Sequence, residues 1–176
     1  MFSIKQMTRC RAIVAAAVMA YLLPVAAAAE TALQPPQGEV ILTVSGSIAQ
    51  TNAGGDAGFN REMLLALPQH EIRTTTEWTD GVKQFSGPLL SDVLAAVGAS
   101  GEAAAATALN DYTVEIPLQD FTDYPVILAM SMDGAPLTLR TKGPLWIVYP
   151  RDQHSELQNP EMNSRWIWQL RALEIR

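Results

Sequence analysis

Residues 70–94, HEIRTTTEWTDGVKQFSGPLLSDVL, decide the fold prediction. The β-branched residues at the start of this segment predict a strand over residues 71–76. A polar loop with one aromatic and one carboxylate is expected next. Gly87-Pro88-Leu89 then predicts the start of a helix, because proline is favoured at the first helical position. Gly98 is expected to end that helix after an apolar stripe.

Alternating or continuous apolar residues predict strands on both sides of this segment. The first is residues 39–45, and Asn60 should then cap a short helix that ends before Pro68, with Phe59 packing on Leu64. Residues 103–108 are predicted to pair in a hairpin with a strand through Tyr112, Val114 and Ile116. Further strands are predicted at residues 126–130, 145–149 and 167–175. A tight turn is predicted at Asp133-Gly134. Many strands with few short helices predict a single compact α+β domain with a mixed or antiparallel β-sheet.

The N-terminus predicts a secretory signal peptide over residues 1–29. Lys5, Arg9 and Arg11 form its basic start, an apolar run follows, and three alanines precede the expected cleavage site. No later stretch has the roughly 20 apolar residues that a membrane-spanning helix requires. We therefore expect an exported, periplasmic protein without direct membrane insertion, in which residues 30–38 are an extended lead-in and residues 39–176 are the domain.

Charge and cysteine content exclude several functions. Without the signal, nine Lys and Arg face 18 Asp and Glu, for a formal net charge of −9. Such a surface disfavours nucleic-acid binding, which needs a basic footprint. The one cysteine, Cys10, lies in the predicted signal. The predicted domain therefore has no disulfide, zinc-thiolate site or cysteine nucleophile.

Hydrolase and nucleotide-binding motifs are missing from the sequence. The two histidines, His70 and His154, lie in no hydrolase motif, and Ser86-Gly87 is not a nucleophile elbow. Both histidines are interpreted as structural. The chain also has no GxGxxG or P-loop pattern. No catalytic or metal-ligating residue is predicted.

The polar segment after the predicted strand contains two side chains that could bind a flat heterocycle. The indole of Trp78 can stack on such a ring. The Glu77 carboxylate can accept two parallel N–H bonds from a ring amino group and its neighbouring N–H. The structural alternative is that Trp78 caps the core and Glu77 is solvated. Because tryptophan is usually largely buried, the spacing by itself favours that alternative.

Three further segments have a functional and a structural interpretation. Asn110-Asp111-Tyr112 forms either a polar rim or an ordinary hairpin turn. Arg140, Lys142 and Trp146 either hold a ligand tail or belong to a charged turn. Trp166 and Trp168 are placed on one face of a strand, where core packing is favoured over a cofactor box.

Five motifs together resemble the sulfite-oxidase-like molybdopterin-binding domain family. They are TTTEW, FSGPLLSDVL, ALNDYTVEIP, DGAPLTLRTKGPLWIVYP and SRWIWQL. Each motif is weak by itself, and their joint order makes the resemblance specific. The resemblance covers nearly all of residues 39–176. It implies a compact α+β domain with a mixed sheet. Its ligand cleft would be lined by the loop after the first motif strand, by the Asn110-Asp111-Tyr112 turn and by the Gly-Pro-Leu-Trp segment.

The resemblance also exposes two differences. Enzymes of the family ligate molybdenum through a cysteine at the end of the strand that corresponds to residues 72–76. This chain has Thr74-Thr75-Thr76 there, and a neutral hydroxyl is a poorer ligand than a thiolate for an oxidised molybdenum centre. The enzymes also carry an arginine for the pyranopterin phosphate where this chain has Trp146. Both differences favour a neutral flat ligand over the molybdenum cofactor.

Small exported members of this fold without the cysteine resemble periplasmic pterin-binding regulators of cyclic-di-GMP signalling. The resemblance implies a non-catalytic sensor that binds a reduced pterin, such as a tetrahydropterin. Its partner would be the periplasmic domain of a membrane-bound diguanylate cyclase/phosphodiesterase. Trp78 would stack on the ring, Glu77 or Asp111 would pair with its amino-pyrimidinone edge, and Asn110 and Tyr112 would add polar contacts. The full set of predicted ligand-binding residues is Thr75, Thr76, Glu77, Trp78, Asn110, Asp111, Tyr112, Arg140, Lys142 and Trp146.

Two alternative functions stay open. One is a molybdenum-cofactor-dependent oxidoreductase of the sulfite oxidase family, and the other is a ligand-free interaction module. Arg9 and Arg11 are separated by Cys10, so the predicted signal is Sec-type and not twin-arginine. This favours a ligand that is loaded after export.

Overall fold

Strands dominate residues 33–176, the part of the chain that the computed structural model describes. They are β1 (Leu42–Gly46), β2 (Ala57–Phe59), β3 (Gln69–Thr76), β4 (Thr79–Pro88), β5 (Ala103–Ala108), β6 (Thr113–Pro117), β7 (Ile127–Ala129), β8 (Ser131–Met132), β9 (Ala135–Pro136), β10 (Trp146–Val148) and β11 (Leu170–Ile175). The helices are α1 (Arg61–Ala66), α2 (Leu90–Ala96), α3 (Asp120–Asp123) and α4 (Pro160–Ser164), with short 3-10 helices at Leu139–Thr141, Arg151–Gln153 and Ser155–Leu157. The predicted signal peptide and the start of the predicted lead-in lie outside the described residues.

The strands form three sheets. The largest has the order β2-β1-β11-β5-β6, the second has the order β3-β4-β8-β9, and the third pairs β10 with β7. Strands β1 and β11 are parallel, whereas the other pairs are antiparallel. The predicted α+β domain with a mixed sheet is confirmed.

The segment that was predicted as a polar loop is instead a long β-hairpin. Strand β3 pairs with β4 from Gln69↔Pro88 to Thr76↔Thr79, with an irregular register near the tip. Glu77 and Trp78 form the two-residue turn at that tip. The loop prediction was wrong because cross-strand pairing, which depends on the partner strand, overrides the polar composition of residues 79–84. The hairpin holds the Trp78 side chain at the end of a rigid element.

The predicted helix start, with Pro88 at the first helical position, was also wrong by two residues. Gly87 and Pro88 belong to β4, and α2 begins at Leu90. Gly87 is required by close packing, since a Cβ at this position would lie 1.9 Å from the carbonyl oxygen of Leu128. The backbone therefore stays extended through this contact and turns into the helix only afterwards.

Other local predictions are confirmed. The Asn60 side chain accepts a hydrogen bond from the backbone N–H of Met63 at 2.8 Å and caps α1. Gly98 has φ +59° just after α2, a left-handed conformation that favours glycine. The apolar stripe of α2 is buried at Leu90, Val93, Leu94 and Val97.

The hydrophobic core lies between these sheets and helices. Its largest fully buried side chains are Trp146, Trp166, Tyr149, Phe59, Phe85, Leu42, Leu64, Leu90, Ile116, Ile127, Leu128 and Met130. Two of them are tryptophans from β10 and from the segment before β11, so the core is aromatic at the end where the β3–β4 hairpin turns. None of the helices in residues 33–176 is long and apolar enough to cross a membrane.

Candidate functional site: an aromatic cleft at the hairpin turn

All four tryptophans of the chain form one cluster. The Trp78 ring centroid lies 5.2 Å from that of Trp168, 6.1 Å from that of Trp166 and 6.3 Å from that of Trp146. The rings are tilted or edge-to-face, the arrangement that aromatic quadrupoles favour. Residues from three distant parts of the chain therefore build one aromatic surface.

A cleft of 320 Å³ opens beside this cluster. Its lining residues are Trp78, Ala108, Asn110, Tyr112, Asn163, Ser164, Trp166, Ile167 and Trp168. A largely apolar, aromatic lining with a few polar groups is typical of a small-molecule site. The volume lies at the lower end of the range for such sites, which suits a compact ring system.

Three of the predicted ligand-binding residues line this cleft. Trp78 enters from the tip of the β3–β4 hairpin, whereas Asn110 and Tyr112 enter from the turn between β5 and β6. Trp78 is partly buried and packs against the core, while Tyr112 is 52% exposed. The structure thus brings the indole of Trp78 together with an amide and a phenol that lie more than 30 residues further along the sequence.

Glu77 is engaged by an arginine that the sequence analysis did not identify. The Arg151 guanidinium donates to the Glu77 carboxylate at 2.7 Å. The Glu77 carboxylate is 49% exposed, and such pairs contribute little to stability. A ligand that uses Glu77 would have to share it with Arg151 or replace this contact.

Asp152 binds the end of β3. Its carboxylate accepts from the backbone N–H of Thr75 at 2.7 Å and from the Thr75 hydroxyl at 2.6 Å. The Thr74 hydroxyl accepts from the Asp152 backbone N–H at 3.2 Å. Thr76 shares a 2.9 Å hydroxyl contact with Thr79. All three threonine hydroxyls of this segment therefore have partners within the protein.

Asp111 does not line the cleft. It has φ 66°, a left-handed conformation that aspartate tolerates better than most residues. Its carboxylate forms an ion pair with Arg171 on β11. Like Glu77, it is already neutralised by a guanidinium, and its predicted ligand role stays a prediction.

The three residues from the Arg140-to-Trp146 segment occupy different positions. The Lys142 Nζ lies 4.4 Å from the Trp168 ring centroid, a cation–π contact at the edge of the cluster. Trp146 is fully buried, so it supports the other indoles from below and presents no surface to a ligand. Arg140 is exposed and forms no ion pair with any described residue.

Five residues between positions 163 and 168 line the cleft but were not among the predicted ligand-binding residues. They are Asn163 and Ser164 from the end of α4, and Trp166, Ile167 and Trp168 from the segment that follows. The two tryptophans were placed on a strand, which was wrong because β11 begins only at Leu170. The aromatic RWIW pattern was the available signal, but it does not distinguish a cleft wall from a core strand.

An ionic network fixes that wall from behind. The Asp120 carboxylate accepts from the Tyr149 hydroxyl at 2.8 Å and from the Arg165 guanidinium at 2.7 Å. Burial, together with the neighbouring Asp120 charge, raises the pKa of Tyr149 far above its ordinary value, so the phenol stays neutral. Burial by itself lowers the pKa of Arg165, but the hydrogen bond to Asp120 raises it overall. Arg165 therefore remains a cation that anchors the wall.

The fold and cleft define an α+β domain with an aromatic small-molecule site, and comparison with known proteins identifies its family. A family model described as "oxidoreductase molybdopterin binding domain" matches residues 55–153, more than half of the chain. The protein belongs to this family, as the sequence motifs predicted. No curated protein sequence matches the chain.

A solved structure supports the same fold. The crystal structure of the sulfane dehydrogenase SoxCD from Paracoccus pantotrophus is similar, with a TM-score of 0.57 and 20% sequence identity. The similarity covers 76% of this chain and 37% of the SoxCD chain. The two proteins share the sulfite-oxidase-type fold. This chain spans well under half the length of the SoxCD chain.

The family implies a molybdopterin-type ligand, which consists of a pterin ring system and a molybdenum ion. The residues of this site fit the ring but not the metal. The cleft suits a flat pterin ring, because the partly buried Trp78 and Trp168 offer aromatic surface and polar side chains line part of the rest. The residues at the end of β3 do not fit the metal. They are hydroxyls whose hydrogen bonds are already made, and no thiolate is present in residues 33–176. No cluster of three or more His, Cys, Asp or Glu in the same residues could hold a metal ion.

Proposed function

We propose that this protein is a periplasmic pterin-binding protein that acts as a non-catalytic sensor. The observation that carries the proposal is the cleft itself, where three indoles and two polar side chains of the β5–β6 turn meet beside a strand end that lacks a thiolate. A reduced pterin, such as a tetrahydropterin, is the ligand that this combination suits. Family membership supports a pterin-type ligand in general.

Stacking supplies much of the proposed affinity. Trp78 is partly buried and is braced by three further indoles, so its orientation is fixed before a ligand arrives. A preorganised aromatic side chain loses little conformational entropy on binding. Asn110 and Tyr112 on the facing turn would then orient the ring by hydrogen bonds. Lys142 stands at the edge of the cluster and would favour a ring carbonyl or a hydroxylated side chain nearby.

The proposed readout is a protein partner. The proposed control of a membrane-bound diguanylate cyclase/phosphodiesterase through its periplasmic domain rests on the resemblance of the sequence motifs to periplasmic pterin-binding regulators. Such a regulator needs a surface that depends on ligand occupancy. The β5–β6 turn is a candidate for this surface, because its residues face two sites. Asn110 and Tyr112 line the cleft. Leu109, which precedes Asn110, is 47% exposed and lines a second surface groove.

The binding proposal is tested by anaerobic titration of residues 30–176 with 6,7-dimethyltetrahydropterin and with oxidised pterin. Because all four tryptophans lie in the cluster, quenching of intrinsic fluorescence reports directly on the cleft. We expect saturable one-to-one binding with the reduced pterin bound more tightly. The lack of saturable binding for both compounds would refute the proposal and favour a ligand-free interaction module.

A Trp78→Ala variant tests the stacking role. Stacking of a base-like ring on an aromatic contributes about 1–3 kcal/mol, so we expect the dissociation constant to rise about 5- to 150-fold. Val82→Ala is the matched control, because Val82 lies on the same hairpin, is 55% exposed and does not line the cleft. Near-UV circular dichroism checks that the cluster survives. Unchanged affinity of a folded Trp78→Ala variant would assign Trp78 to the core alone.

A molybdenum-cofactor oxidoreductase is the second candidate, and family membership and the SoxCD-like fold favour it directly. It would need a metal ligand set other than a cysteine at the end of β3. Metal analysis of protein purified from its native compartment separates the two candidates. Molybdenum near one equivalent would overturn the sensor proposal, whereas molybdenum at background level supports it.

A further inference from the structure

The tip of the β3–β4 hairpin is separated from the regular part of its strand ladder. Cross-strand pairing is regular up to Thr74↔Lys83, then shifts register and skips Thr75. On the opposite strand, residues 80–82 have no partner in β3. An irregularity of this kind disrupts the ladder locally. The two-residue turn that carries Trp78 therefore depends on contacts from outside the hairpin for its direction.

The short 3-10 helix that contains Asp152 makes these contacts. The Asp152 carboxylate accepts from the Thr75 backbone N–H at 2.7 Å and from the Thr75 hydroxyl at 2.6 Å. The Arg151 guanidinium donates to the Glu77 carboxylate at 2.7 Å. The residue that the ladder skips and the residue before Trp78 are thus both bound by one segment, which lies 74 to 77 residues away in the sequence.

We propose that Asp152 and Arg151 are positioning residues for Trp78. They fix the backbone of the hairpin tip, so that the indole stands in the cleft before a ligand binds. This inference rests on the proposed pterin binding and assigns two residues that act on the ligand through Trp78. Neither of them lines the cleft, and neither was among the predicted ligand-binding residues.

The exposure of these contacts indicates a local role. The Glu77 carboxylate in the Arg151 pair is 49% exposed, and exposed ion pairs contribute little to the free energy of unfolding. Asp152 is exposed as well. Both contacts act on a hairpin tip, where backbone order depends on few interactions. Trp78 is the residue of that tip that packs against the core and lines the cleft, so their loss should affect Trp78 first.

A held indole binds a flat ring more tightly than a mobile one. Ordering a mobile side chain during binding weakens affinity by about 2- to 10-fold. Asp152→Ala removes both contacts to Thr75 and leaves the aromatic cluster itself unchanged. We therefore expect the dissociation constant for 6,7-dimethyltetrahydropterin to rise by about 2- to 10-fold in this variant.

Fluorine NMR of protein labelled with 5-fluorotryptophan tests the position of Trp78 without a ligand. The chain has four tryptophans, and Trp78→Phe identifies the Trp78 resonance. In Asp152→Ala we expect this resonance to shift towards that of free 5-fluorotryptophan, by more than the other three shift. Asp152→Asn should restore it, because an amide can accept from the Thr75 N–H and donate to the Thr75 hydroxyl.

Anaerobic titration with 6,7-dimethyltetrahydropterin of the same variants measures the effect on binding. Asp152→Asn should bind within about twofold of wild type, since both contacts are kept. Arg151→Met removes the contact to Glu77 and should change both measurements in the same direction as Asp152→Ala, so it decides the test if Asp152→Ala does not fold. Asp123→Ala is the matched control and should change neither measurement. Asp123 is also an exposed carboxylate that accepts a hydrogen bond, from Gln119 at 2.6 Å, and it does not line the cleft.

The outcomes separate this inference from the proposed function. An unchanged Trp78 resonance in Asp152→Ala, or equal shifts of all four tryptophans, would overturn the positioning role. A shifted resonance with unchanged affinity would also overturn it, because the position of Trp78 would then not control binding. Wild-type protein that does not bind 6,7-dimethyltetrahydropterin refutes the proposed pterin binding, whereas the fluorine resonances still show whether Asp152 positions Trp78.

Discussion

Replacing Arg165 by leucine should destabilise the protein strongly. The Arg165 and Asp120 side chains are only 15% and 12% exposed, and their charged atoms are 2.7 Å apart. Arg165→Leu leaves the Asp120 carboxylate with the Tyr149 hydroxyl as its remaining partner. The guanidinium that compensated the buried charge is then missing.

The size of the effect follows from burial. Removal of one partner from a fully buried ion pair costs about 3–5 kcal/mol. The retained Tyr149 hydrogen bond and the residual solvent access of Asp120 reduce this to about 2–3 kcal/mol. The second contact of Arg165, to Glu161, adds little because Glu161 is 79% exposed. For a domain of this size the melting temperature should fall by roughly 5–10 °C.

Urea unfolding followed by tryptophan fluorescence measures the loss. Arg176→Leu is the matched control, because Arg176 and its partner Glu174 are both about half exposed and such exposed pairs contribute little to stability. Adding Asp120→Asn to Arg165→Leu should recover part of the stability, since the buried charge is removed. Equal stability of Arg165→Leu and Arg176→Leu would refute the assigned role of the network.

Two other predictions concern the hairpin. Gly87→Ala should destabilise by about 3 kcal/mol or prevent folding, because its Cβ would overlap the Leu128 carbonyl at 1.9 Å; thermal melting checks this. The Gln84 backbone N–H and Lys83 hold the pKa of Asp133 below its usual value, so this carboxylate stabilises the fold above its unfolded pKa and stops doing so as pH falls through its folded pKa. The stability difference between wild type and Asp133→Asn should accordingly be present at neutral pH and vanish in acid, and unfolding at a series of pH values would expose a contrary trend.

Local signals made much of the fold predictable. The Asn60 cap, the Gly98 helix end and the β5–β6 hairpin depend on residues within a few positions of one another, and all three are present. The start of α2 was misplaced because the extended conformation at Gly87 is imposed by Leu128, 41 residues away. Backbone contacts at that separation leave no periodic pattern in the sequence.

The candidate site was predictable only in part, for the same reason. Trp78, Asn110 and Tyr112 were identified because the motifs locate their turns. The Arg151 contact to Glu77 spans 74 residues and could not be inferred from spacing. Trp166 was assigned to a core strand, since an aromatic residue in an apolar segment looks the same whether it lines a cleft or fills a core.

Native mass spectrometry of the protein from its own cellular compartment shows directly whether the cleft holds a pterin or a molybdenum cofactor. It reads the mass of whatever small molecule the cleft retains. We expect a single bound species with the mass of a pterin, which lacks molybdenum and is lost in Trp78→Ala. A bound species with the mass and isotope pattern of a molybdenum-containing cofactor would refute the proposed pterin-binding function.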